Sequence, residues 1–321
     1  MIRTPLNKLL DIEHPILLAP MAGVAGGHLS TAVSRAGGFG IVGGGYGDRD
    51  FLQRELDLVD KSLGFGVGFI TWRLDENPGL LDLALAYRPK AILLSFGKVS
   101  GYAEQIKKTG ALFFAQCQNL ADAKTAALSG ADLIIAQGTE AGGHGSKRAT
   151  MSLLPAIRDA LPDQIIVGAG GVADGRGLAA CLSLGADGVM IGSRFYVSEE
   201  SLAPMGAKQK SLIASGDDTV RSSVFDVLRE YPWPKPYNLR TLKNTLLEQY
   251  ENDMPALLAN KASEIDNLKR AQANQDFEHA PVIIGEAVDM IRDLPNAASL
   301  VERIMREAEQ TIHANLSLLQ S

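Results

Sequence analysis

Residues 129–144 read SGADLIIAQGTEAGGH. A glycine stop and an aspartate lead into an apolar run, and a polar, glycine-rich segment follows it. Residues 184–193, LGADGVMIGS, repeat the plan. Each copy reads as the end of a helix, a turn, and a strand buried on both faces, as in a parallel sheet. The preceding segments agree. NLADAKTAALS opens on Asn119 as a cap and stops at Gly130, and the segment opened by Asp174 stops at Gly185.

Apolar runs of this kind recur at 16–19, 39–42, 65–70, 91–94, 112–115, 133–136, 165–167 and 188–191. They start about 20 to 30 residues apart, the spacing of a βα unit. Eight such units predict an α/β fold, a (β/α)8 TIM barrel, with an open doubly wound sheet as the alternative. Gly38 to Gly43 matches G-x-G-x-x-G, but the match spans a strand instead of following one. A nicotinamide-binding Rossmann unit is therefore not expected.

After Ser193 the rhythm breaks. Residues 195–298 hold few strand signals and a proline cluster, Tyr231-Pro232-Trp233-Pro234-Lys235-Pro236. Amphipathic helices are expected at 238–252 and 255–273. Leu300, Val301, Ile304, Met305, Ala308, Ile312 and Leu316 keep one apolar face and read as the eighth barrel helix. The expected organisation is a barrel from residues 1–194 and 299–321, with 195–298 as a helical insertion capping its mouth. A separate second domain is the alternative; no Gly/Ser linker marks one.

The composition, 46% hydrophobic and 21% charged over 321 residues, suits a large globular core. Net charge is −6 with no basic stripe, which argues against nucleic acid and anionic membranes as partners. No apolar run approaches the roughly 18 residues that span a bilayer. MIRTPLNKLLDIEHP shows no signal segment, so a cytoplasmic protein is expected, with Cys117 and Cys181 as reduced packing residues.

The unusual residues cluster where barrels keep their active sites, after the strands. Met21, Ala22 and Gly23 follow the first run, and Gln137 to His144 follow the sixth. Gly170 and Gly171 follow the seventh, and Met190, Ile191, Gly192 and Ser193 close the eighth. Glycine-rich loops after strands seven and eight expose amides to a phosphate; tight turns alone are the plainer explanation. His144 stands beside Gly142 and Gly143 and suits proton transfer near neutral pH. No second His or Cys lies at ligand spacing from it, so no metal is expected. His14 and His313 read as solvated, His279 as open, and His28 as a possible ligand contact. Glu140 either caps a turn or holds a hydroxyl.

PILLAPMAG at 15–23, AGGFGIVGGG at 36–45, AQGTEAGGH at 136–144, GAGGVADGRG at 168–177 and GADGVMIGSRF at 185–195 resemble the nitronate monooxygenase family, formerly 2-nitropropane dioxygenases. FDVLREYPWPKPYNLRTLKN at 225–244 is similar to a family segment as well. The resemblance implies an FMN-binding barrel that oxidises alkyl nitronates with O2 and needs no nicotinamide. It implies flavin contacts at Gln137 and Gly142, with Gly143 adjoining. Gly171 and Met190 to Ser193 fall on the phosphate side, with Gly170 adjoining. Met21, Ala22 and Gly23 fall beside the isoalloxazine, and His144 takes the catalytic place. Two departures stand out. Gly68 replaces an asparagine common after the third strand, and Gly145-Ser146 follows His144. The rival readings are a flavin-dependent enoyl-acyl-carrier-protein reductase and a flavin-binding protein without turnover. The expected partners are a small nitronate and O2, with a homodimer left open.

Overall fold

The computed structural model describes residues 2–319. In chain order its strands are β1 (Ile16–Leu18), β2 (Gly40–Gly43), β3 (Phe65–Ile70), β4 (Ala91–Ser95), β5 (Leu112–Cys117), β6 (Leu133–Gln137), β7 (Gly143–Gly145), β8 (Ile165–Ala169), β9 (Gly188–Ile191), β10 (Thr219–Ser222) and β11 (Asn238–Leu242). Eight of these pair in parallel in the order β1-β9-β8-β6-β5-β4-β3-β2. A parallel bridge between Leu17 and Phe39 joins the two ends of this sheet. The fold is a (β/α)8 barrel, and each of the eight apolar runs supplies one of its strands.

Strand side chains alternate between two cores, because successive residues point to opposite faces. Leu17, Ile41, Leu93, Phe114, Ile135 and Val167 fill the barrel interior, where Leu6 and Leu10 of the helix Pro5–Leu10 join them. Ile16, Leu18, Val42, Ile92, Phe113 and Ile134 pack outward with the helices. Burial on both faces is why the runs carry no polar alternation. Asn119 and Asp174 cap the helices Leu120–Leu128 and Gly175–Ser183 through side-chain oxygens, as their positions predict. Gly130 and Gly185 follow these helices at φ 83° and 94°, conformations that a side chain resists. The long helix Ala297–Ser317 packs on Gly175–Ser183 and Gly27–Arg35, the place of a closing barrel helix.

Between Tyr196 and Ala297 the chain is mostly short helices, with one exception that bears on the site. β10 and β11 form an antiparallel pair, and β11 pairs antiparallel with β7, setting Leu239 opposite His144. The expected helix at 238–252 is therefore a strand, Asn238–Leu242, followed by a helix, Thr245–Tyr250, that Asn244 caps. Pairing on both sides of β11 overrides a local helical pattern. The expected helix at 255–273 is divided at Asn260 into Met254–Ala259 and Lys261–Ala273.

Candidate active site

A cavity with about 1250 Å³ of empty space, open to solvent, lies over the C-terminal ends of the barrel strands. Met21 and Ala22 line it beyond β1, Gln137 at the end of β6, Gly170 and Gly171 beyond β8, and Gly192 and Ser193 beyond β9. Gly170 and Gly171 take φ 99° and 75° in succession, a path that L side chains rarely follow. Among the described residues, no backbone acceptor takes the amide hydrogens of Gly171, Val172, Gly192 or Ser193. All four residues line the cavity. Unspent donors on the loops of two adjacent strands are what an anion cradle requires. The Ser193 hydroxyl is already engaged, accepting the Gly285 amide at 2.9 Å.

The loop after β6 carries the candidate base and is fastened at several points. Both Glu140 carboxylate oxygens lie 3.0 Å from the Thr150 amide, and Oε2 also accepts the Thr150 hydroxyl at 2.9 Å. Glu140 therefore both caps a helix and holds a hydroxyl. Arg221, on β10, donates to the carbonyls of Thr139, Ala141, Gly143 and Asn238 at 2.8–3.2 Å. A planar fork suits this task, since its donors are fixed relative to one another. The Gln137 carboxamide is spent inside the protein. Its oxygen accepts from Gln116 and Gln118, and its nitrogen donates to the His144 carbonyl at 3.2 Å.

His144 is 6% exposed. Its Nε2 lies 2.9 Å from Asp226 Oδ1, and its Nδ1 lies 3.5 Å from the Tyr46 hydroxyl. Its ring stacks on Trp233, with centroids 3.4 Å apart and planes 11° apart. Burial holds the imidazole below its ordinary value of 6.5, against the opposing pull of Asp226. Burial also holds the Tyr46 phenol well above its ordinary range, so its proton is kept as a donor. Tyr46 stacks on Tyr231 at 4.2 Å, and Arg229 lies over both rings. The arrangement offers a neutral imidazole, a phenol donor and a cation around one mostly apolar cavity.

Most of the residues singled out in the sequence meet here, though some for unexpected reasons. A Cβ on Gly142 would stand 2.6 Å from the Ile284 backbone, so this glycine serves close packing of two chain segments, beyond making room for a ligand. Gly143 needs its φ of 79°. Met190 lines the cavity, whereas the buried Ile191 and the exposed Gly23 do not. A Cβ on Gly68 would meet Pro20 at 2.3 Å, so the site that an asparagine would occupy is closed by the loop after β1. His28, His279 and His313 are exposed and away from the cavity lining. His14 is half-buried with Nδ1 buried, contrary to the expectation of a solvated ring. Tyr46, Asp226, Arg221 and Arg229 were not marked by the sequence. Only the aromatic density around Trp233 pointed toward this wall.

The chain matches the family model described as Nitronate monooxygenase over residues 3–65 and 75–307. It is 30% identical to a nitronate monooxygenase of Neurospora crassa, over 94% of this chain and 90% of the relative. FabK from Thermotoga maritima superimposes with a TM-score of 0.87 at 28% identity, covering 99% of this chain and 100% of that one. Nitroalkane oxidase from Streptomyces ansochromogenes gives 0.80 at 26% identity, covering 96% and 99%. With the model spanning most of the barrel and reaching through the segment that supplies Asp226 and Trp233, the chain belongs to the nitronate monooxygenase family.

Proposed function

We propose that the cavity holds FMN and that the protein oxidises alkyl nitronates with O2, and nitroalkanes after His144 removes their α-proton. The observation that carries this reading is the pairing of two features in one cavity. One is a buried, neutral histidine; the other is a cradle of unspent amides on the loops after β8 and β9. Gly171, Val172, Gly192 and Ser193 would take the phosphate through their backbones, with Met21 and Ala22 against the flavin ring. The flavin supplies the one-electron chemistry that no side chain here offers. His144 takes a proton from carbon, and Tyr46 donates toward the anion that forms. On the same reading, residues 1–194 and 299–321 are the cofactor-binding barrel and 195–298 the cap that completes its site.

The test is anaerobic mixing of the purified holoprotein with propyl-2-nitronate and, separately, with NADPH, while the flavin spectrum is followed. Bleaching by the nitronate alone is expected. Bleaching by NADPH alone would instead favour the enoyl reductase reading, and no bleaching by either a flavoprotein without this turnover.

A further inference from the structure

The reading of His144 as base leaves one buried acid without a task. Asp226 sits on the short helix Val224–Leu228, far along the chain from His144, and is 5% exposed. Its Oδ1 meets His144 Nε2 at 2.9 Å. Its Oδ2 is buried and has no hydrogen-bond partner among the described residues. An orphaned buried acceptor is costly, and an acid kept only for stability would satisfy both oxygens. We propose that Asp226 is the positioning residue of His144: it accepts Nε2–H, fixes that tautomer, and leaves Nδ1 as the atom that takes the substrate proton.

The geometry supports each clause. A carboxylate only accepts, so the shared proton belongs to Nε2. Nδ1 stands 3.5 Å from the Tyr46 hydroxyl, too far for a strong bond, and both residues line the cavity. The ring is held in plane by Trp233, and a half-turn would bring Cε1 in place of Nε2 and forfeit the bond to Asp226. In the step itself the substrate C–H bond breaks and its proton joins Nδ1. The electron pair stays on the substrate as the nitronate. The imidazolium that results is balanced by the Asp226 carboxylate and faces the Trp233 ring. Before that step the hydrogen-bond partner of the Asp226 carboxylate is a neutral imidazole, so the pair gains most when the proton arrives.

The charged and titratable groups around His144 are Asp226 and Arg229 from residues 224–229, Arg221 from β10, and Tyr46 from the loop after β2. Both arginines disfavour the imidazolium, and Asp226 favours it. Replacing Asp226 with Asn should therefore move the acidic limb of kcat/KM for neutral nitroalkanes, where the base becomes protonated, to lower pH. It should also cut the plateau by about 10²–10⁴-fold. Preformed nitronates, which need no deprotonation, should lose less. Nitrogen-15 NMR of the wild-type holoprotein should show His144 protonated at Nε2 and bare at Nδ1.

This inference rests on His144 being the base, and the experiment separates the two. If His144→Asn costs nitroalkanes and nitronates equally, the base reading fails, and with it the role given to Asp226. If His144→Asn is selective for nitroalkanes but Asp226→Asn leaves the pH limb in place, the positioning role alone is overturned. An Nδ1-protonated ring in the wild type overturns it too, and decides the matter even if Asp226→Asn does not fold.

Discussion

At His144 two influences oppose each other. Burial disfavours the imidazolium, Asp226 favours it, and burial wins. The histidine therefore gives up its proton more readily than a free imidazole, which suits the base role proposed for it. His144→Asn should lower turnover of neutral nitroalkanes by about 10²–10⁴-fold, with a smaller loss on preformed nitronates and flavin content retained. Oxygen consumption on both substrate forms, with absorbance for occupancy, checks this. The same shift bears on stability. A group whose folded pKa lies below its unfolded value binds more protons when unfolded. Its contribution is complete above about pH 6.5 and is lost as pH falls below that. Wild type should thus lose melting temperature between neutral and mildly acidic pH more steeply than His144→Asn does. At Gly171, φ 75° and the approach to the proposed phosphate both exclude a side chain. Gly171→Leu should purify without flavin; full occupancy would refute the phosphate assignment. His144 and these glycines were legible as a site because a histidine among glycines follows a buried strand in the sequence, and the structure places them on one cavity. Asp226 was not. In VFDVL it looks like any acid in the first turn of a helix, and only the folded path brings it to the ring.

At the scale of elements, the loop after β6 is held from outside itself. Arg221 spends its guanidinium on carbonyls of that loop and of β11. Arg221→Met removes these donors, leaving Arg240 as the remaining side-chain donor to the Thr139 carbonyl, and should cost on the order of 3 kcal/mol of stability. It should also lower nitroalkane turnover, by about 10²-fold if the base is displaced by an ångström. Denaturant unfolding and steady-state kinetics on the same preparation measure both. Trp233 separates packing from catalysis in a different way. Stacked on His144 and edge-on to Phe96, it forms one wall of the cavity. Trp233→Ala should change nitroalkane kinetics as well as melting temperature; a change in melting temperature alone would reduce it to a packing residue. Elements with one buried environment, the barrel strands and the capped helices, could be read from residue pattern. β7 and β11 could not. GHG is too short to show a period, and NLRTL becomes a strand only because two partners flank it.

For the whole molecule, the barrel provides the floor and the segment between Tyr196 and Ala297 provides Asp226, Trp233, Arg221 and Arg229. The ladder between β7 and β11 joins the two parts through His144 itself. Amide hydrogen exchange should report this union: the amides around His144 should open together with those of β10 and β11, not with those of β6. The ladder also constrains how molecules come and go. Were the upper segment to swing back to admit a substrate, the ladder would carry His144 with it, away from the barrel loops that line the rest of the cavity. Beside the ladder, the upper segment meets Tyr46, Trp72 and Phe96 through the ring of Trp233, which also stacks on His144. Side chains can turn aside and return far faster than domains move, without disturbing a backbone pairing. A doorway made of Tyr46, Trp72 and Phe96, with Trp233 kept on His144, would leave the ladder as the fixed jamb. Turnover would be paced by side-chain rotation and diffusion, with no closing of domains.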